Sequence, residues 1–102
     1  MDQIESLTTS IREFAKKRDW EKFHTPKNLA MAIAGEAGEL AAEFQWLTPE
    51  SSFNSELSDE KVRAIRLEMA DLQIYLLRLA DVLEVDISEA AIEKMRVNEI
   101  RF

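Results

Sequence analysis

The sequence predicts an all-α protein of four helices, completed by oligomerisation, and three observations carry this reading. Ala, Leu, Glu and Lys are plentiful among the 102 residues while Gly and Pro number two each, a composition that favours helix over strand. Apolar residues recur at three- and four-residue spacing along most of the chain, the helical period. The second half of the third helical segment is apolar on more than one face, as a helix surrounded by other helices is. A chain of this length holds one hydrophobic core, so residues 1–102 are read as a single domain.

The first helix is expected from about Asp2 to Lys17, with Ile4, Leu7, Ile11, Phe14 and Ala15 on one face and Asp2 with Glu5 placed as a capping box. Arg18 to Thr25 is an aromatic-rich connector holding Trp20, Phe23 and His24, and Thr25 before Pro26 is an N-cap and first-turn pair. The second helix is expected to run to about Trp46 on the apolar face Leu29, Ile33, Ala37, Leu40, Ala41 and Phe44, followed by a polar loop from Thr48 to Ser58. Ser58 caps a third helix over about Asp59 to Leu83. Val85 and Ile87 around Asp86 mark a turn, and either Asp86 or Ser88 caps a short fourth helix to about Arg96, ahead of a tail from Asn98 to Phe102.

The net charge of −7 argues against a nucleic-acid partner, because that binding draws on clustered Lys and Arg. A polyanionic substrate would need a metal to mediate. There is no Cys and a single His, His24, so thiolate sites and disulfides are excluded and a zinc site is disfavoured. The N-terminus lacks the basic and apolar regions of a signal peptide, and no apolar run approaches a bilayer span. A soluble, uncleaved, cytoplasmic protein with no membrane partner is expected.

The informative residues are Glu36, Glu39 and Glu43 on the second helix and Glu68 and Asp71 on the third. Spacings of three and four put each set on one helical face. From Asn28 through Glu60 there is no Lys or Arg, so Glu36 and Glu39 have no local cation to offset their repulsion. Carboxylates delivered by two facing helices, with no Cys and hardly any His, point to Mg²⁺ or Mn²⁺. The chain's two glycines, Gly35 and Gly38, lie beside these acids inside the helix, where each costs about 1 kcal/mol relative to Ala. They imply close approach of another backbone or of a ligand. A di-iron bundle would need Glu-x-x-His on two helices, and no His stands in such a position.

The run Arg18-Asp19-Trp20-Glu21-Lys22-Phe23-His24, then Pro26 and Asn28, then Gly35-Glu36-Ala37-Gly38-Glu39-Leu40 and Phe44-Gln45-Trp46, followed by Glu68, Asp71 and Tyr75 and by Lys94, Met95, Asn98 and Arg101, resembles the MazG-like all-α nucleoside triphosphate pyrophosphohydrolases. It is most similar to their dCTP pyrophosphatase-like branch. The resemblance covers about Arg12 to Phe102. Where the wider family has the first Glu of its E-E-x-x-E motif this chain has Gly35, as the close branch does, so the departure bears on metal number and not on the reaction.

The resemblance implies a four-helix MazG-like bundle, assembled as a tetramer in preference to a dimer, that hydrolyses nucleoside triphosphates, usually deoxy, to the monophosphate and pyrophosphate. It implies Glu36, Glu39, Glu68 and Asp71 as magnesium ligands and catalytic residues, one of them accepting a proton from the attacking water. Lys94 and Asn98, one turn apart, would hold phosphate oxygens, with Arg101 beyond the helix end as a further candidate. Trp20, Trp46 and Tyr75 would wall in base and sugar, with His24 beside them. The expected role is house-cleaning of the nucleotide pool with dCTP-like substrates. The alternative is a non-catalytic helical or regulatory module of the same fold.

Overall fold

The computed structural model describes residues 2–102, which form four helices and, among the described residues, no strand. These are α1 (Gln3–Lys17), α2 (Pro26–Ala42), α3 (Asp59–Val82) and α4 (Ile87–Arg101). Each begins at a side chain that accepts the backbone N–H three residues on: Asp2 from Glu5, Thr25 from Asn28, Ser58 from Lys61 and Asp86 from Glu89. Such a cap satisfies one orphan donor and stabilises a helix by about 1 kcal/mol. Asp86, and not Ser88, starts the fourth helix.

Two helices end without the glycine that this usually takes. After α1, the N–H groups of Asp19 and Trp20 bond back to the carbonyls of Lys16 and Ala15, at 3.1 and 3.0 Å. After α3, Glu84 and Val85 do the same to Asp81 and Ala80, at 3.1 and 2.8 Å. This is the Schellman pattern, which needs a left-handed residue just past the helix. Asp19 (φ 54°) and Glu84 (φ 56°) supply it. The first of these turns aims Trp20 and the connector back over α1, and the second redirects the chain into α4.

Two boundaries differ from the sequence reading. Helix α2 stops at Ala42 and not near Trp46: from Glu43 to Leu47 the chain tightens into successive turns, with Phe44 N–H on the Ala41 carbonyl (3.0 Å) and Leu47 N–H on the Phe44 carbonyl (3.0 Å). An acidic Glu43 at the negative end of the helix dipole, with no cation in that last turn, disfavours its continuation. Helix α4 runs on to Arg101, absorbing the expected tail, because no Gly or Pro after Arg96 interrupts it. The loop between α2 and α3 contains two single turns of 3₁₀ helix, Glu50–Ser52 and Asn54–Glu56.

Helix α3 is the centre of the molecule, packed along α2 and against α1, while α4 packs closely on none of the others. Ala15, Leu29, Leu77 and Ala80 are the buried apolar residues where these elements meet. So small a core leaves an open molecule. Its radius of gyration is 16.2 Å, against about 13 Å for a compact domain of this size. Its accessible surface is 8057 Å², against about 5,900 Å² for a compact monomer of this mass. Met69 and Leu76 on α3, and Ile92, Met95, Val97 and Ile100 on α4, are exposed.

Candidate functional site

The α2–α3 pair is antiparallel, and three contacts follow in order along α3, made by α2 and by the residues just beyond each of its ends. Near the loop, Lys61 Nζ meets Glu43 Oε1 at 2.9 Å. At the middle, Glu36 of α2 stands against Glu68 and Asp71 of α3, with one carboxylate oxygen of each lying within 4.8 Å of the others. At the far end, Arg78 Nε donates to His24 Nδ1 at 3.0 Å. Only the middle contact brings together groups of one charge.

That acidic cluster is built by helix geometry. Glu68 and Asp71 are one turn apart and share a face of α3, and Glu36 reaches them from a stretch of α2 that carries no cation. The strain registers on Glu68, whose carboxyl is pushed above its ordinary value by partial burial and by the charges of Glu39, Asp71, Glu36 and Glu43. Glu39 acts on Glu68 through this field but lies outside the tight trio. Glu43 differs from these acids in being paired with a cation, Lys61. Three or four oxygen donors with no sulfur or nitrogen among them fit a hard divalent cation such as Mg²⁺ or Mn²⁺.

The aromatic candidates occupy different surroundings. Trp20 packs edge-on against Phe14, at 5.6 Å between centroids, and against His24 at 6.4 Å. The Arg18 guanidinium lies over the Phe14 ring. Tyr75 is half-buried on α3, one turn beyond Asp71. Trp46 stands in the turn after α2 with 89 % of its surface exposed, so the single chain encloses no base between it and Trp20. Lys94 and Arg101 are exposed on α4, with Asn98 half-buried between them. Because α4 is not packed on α2, one chain does not hold these three against the acids. Arg101 belongs to the last turn of α4 and not to a segment beyond it, its guanidinium over the Phe102 ring. The two glycines face open space: among the described residues, a Cβ on Gly35 or Gly38 meets nothing within 4 Å.

Sequence reasoning missed a second charged network. Asp81 receives two hydrogen bonds from Arg12, Nε to Oδ2 at 2.8 Å and Nη2 to Oδ1 at 2.7 Å, and a third from Arg78 Nη1 at 3.2 Å. The Arg12 bond holds the Asp81 carboxyl below its usual range, outweighing the opposite effect of burial. Arg78 is buried, with 7 % exposure. The available signal was an Arg and an Asp three residues apart inside the apolar run Leu76 to Val82, where an unpaired charge would be costly. Through Arg78 the network reaches His24, whose pKa is lowered first by partial burial and then by the Arg78 charge.

No family model matches the chain. Over 99 residues, 97 % of this chain, it is 40 % identical to dCTP pyrophosphatase 1 of Bos taurus and of Homo sapiens. The chain spans 59 % and 58 % of the length of those two relatives. Its backbone also superimposes on the crystal structure of a pyrophosphatase from Archaeoglobus fulgidus DSM 4304 with a TM-score of 0.90 and 39 % identity, covering 100 % of this chain and 94 % of that one. A likeness of that depth means that the chain belongs to the MazG-like all-α pyrophosphohydrolase family, and the curated relatives it resembles are dCTP pyrophosphatases.

Proposed function

We propose that the chain hydrolyses deoxynucleoside triphosphates, with dCTP the first to test, to the monophosphate and pyrophosphate in the presence of Mg²⁺. The observation that carries this reading is the meeting of Glu36, Glu68 and Asp71 with carboxylate oxygens within 4.8 Å and no cation among them. Like charges held this close repel one another, and a bound divalent cation would relieve that repulsion. In this reading Glu36, Glu39, Glu68 and Asp71 hold the metal. When bound, Mg²⁺ would spread the charge of the triphosphate and lower the pKa of the attacking water. One of the four carboxylates takes the proton of that water. Tyr75 and Trp20 border the nucleoside, and Lys94, Asn98 and Arg101 meet the phosphates when another subunit supplies them. Removal of surplus or modified dNTPs from the cytoplasmic pool is the role that fits such chemistry.

The same proposal includes a homo-oligomer. The single chain exposes roughly 2,000 Å² more than a compact monomer of its mass, enough for two interfaces at about 800 Å² per partner. Two neighbours per chain fit a tetramer better than a dimer. An open apolar groove on α3, lined by Val62, Ile65, Met69, Leu72 and Leu76 with Leu40 of α2, is one such face. Among the described residues no helix is long and apolar enough to cross a membrane.

The deciding experiment is a panel of nucleoside triphosphates assayed for pyrophosphate release with Mg²⁺, and again with EDTA. Release of pyrophosphate from dCTP that EDTA abolishes is the expected result. Full activity after chelation would remove the metal from the mechanism, and no release from any nucleotide would favour the non-catalytic module.

A further inference from the structure

The α3 helix carries Glu68, Asp71, Tyr75 and Arg78 on successive turns. At 100° per residue these four fall within about 80° of arc, and Arg78 lies about 10 Å along the axis from Asp71. Acid, acid, tyrosine and arginine therefore form a single stripe, with phosphate chemistry at one end. The other end is where the nucleoside half of an extended nucleotide would lie, and there Arg78 meets His24.

The contact between them has one chemical reading. A guanidinium has five N–H donors and no acceptor, so Nδ1 of His24 accepts the Arg78 Nε–H bond at 3.0 Å and carries no proton. The remaining nitrogen, Nε2, then bears the hydrogen of the neutral ring. It makes no hydrogen bond among the described residues and is not a buried, unpartnered atom, so it is open to solvent. The ring is braced by Trp20, edge-on at 6.4 Å. Arg78 is in turn immobilised by Asp81, which Arg12 clamps from α1. A protonated His24 would set two donors against each other at Nδ1, which this arrangement resists.

We propose that Arg78 is a positioning residue for substrate recognition: it holds His24 as the neutral Nε2–H tautomer, so that the ring offers a fixed hydrogen-bond donor to an acceptor on the nucleoside half of the substrate. This rests on the hydrolase reading above for its substrate, and on the Arg78–His24 geometry alone for its tautomer. Fixing the ring before binding spares the ordering that a free imidazole would need.

The test has two arms. Nitrogen-proton correlation spectra of the His24 ring, recorded on the unmodified chain without nucleotide at neutral pH, should show Nε2 protonated and Nδ1 bare. In dCTP hydrolysis with Mg²⁺, Arg78→Met and His24→Phe should each raise KM about five- to tenfold, with little change in kcat, as loss of one ground-state hydrogen bond does. The double variant should match His24→Phe, because Arg78 acts through that ring. A charged or Nδ1-protonated imidazole in an active enzyme overturns the role of Arg78 and leaves the hydrolase reading intact. So does an equal rise in KM on adding Arg78→Met to His24→Phe. A chain that hydrolyses no nucleotide overturns the activity itself, while the spectrum, which needs no substrate and does not depend on whether Arg78→Met folds, still decides the tautomer.

Discussion

Lys61 at the start of α3 is bonded to Glu43 just past the end of α2, Nζ to Oε1 at 2.9 Å with both side chains partly buried. One cation thus separates Glu43 from the two acids that precede it on the same helical face. Glu43→Gln should leave turnover close to normal and lower stability by about 0.5–1 kcal/mol, the usual range for a pair still partly open to solvent. Parallel turnover and thermal-melting measurements check this. A collapse of activity in Glu43→Gln would add the residue to the catalytic set.

The Arg12–Asp81–Arg78 network makes stability depend on acid. The Asp81 carboxyl is held below its ordinary value of 3.8, chiefly by the hydrogen bond from Arg12. The folded chain therefore binds this proton less readily than the unfolded one. The stabilising contribution is complete above 3.8 and is lost as the pH falls through the lowered value. Asp81→Asn should cost about 2 kcal/mol near neutrality, because it leaves the buried Arg78 without its carboxylate. The gap between the melting temperatures of the two proteins should narrow as both are taken to about pH 2. A gap that stays constant with pH would show that the charge of Asp81 contributes nothing.

Glu84 ends α3 at φ 56°, a conformation that costs a residue with a Cβ roughly 1 kcal/mol. Glu84→Gly should therefore raise stability by about that amount, read as a higher melting temperature. Asp19→Gly should gain less, since Asp tolerates the left-handed region better than Glu. A loss of stability in Glu84→Gly would mean that the side chain itself holds the turn.

Local signals carried much of the fold. A polar residue before an apolar period marked all four helix starts, because a cap is a contact between residues three apart. The same logic put Glu68 and Asp71 on one face. The ends of α1 and α3, at Lys17 and Val82, fall within a residue of the sequence reading, although Asp19 and Glu84 stand where glycine is the usual marker, whereas α2 and α4, with no such marker, end away from where they were expected. Lys61–Glu43 and Arg12–Asp81 span 18 and 69 residues, and no spacing rule reaches so far. Gly35 and Gly38 show the reverse case. Their sequence setting implies a close approach, yet nothing among the described residues makes one. The exposed apolar residues of α4 likewise leave Lys94 and Asn98 without the neighbours that a nucleotide site would give them.

Glu36, Glu39, Glu68 and Asp71 are expected to behave as one unit toward a metal. The carboxyl of Glu68 is already raised by partial burial and by the charges of the other three acids and Glu43, so the metal-free site is a region of mutual repulsion. Replacing any one of the four by its amide removes charge where charge builds in the transition state and should cut turnover by orders of magnitude. The same change relieves repulsion, so the melting temperature in metal-free buffer should stay level or rise, whereas breaking a structural ion pair would lower it. Adding Mg²⁺ should raise the melting temperature of the unmodified chain, because it binds only the folded site, and should do so much less in the variants. Because the four act together, Glu36→Gln with Asp71→Asn should cost little more than the worse of the two singles. Turnover and melting with and without Mg²⁺, measured on the four singles and that double, decide the matter. Near-normal turnover in Glu39→Gln or Asp71→Asn, or a large loss of metal-free stability alongside the lost activity, would make these acids structural.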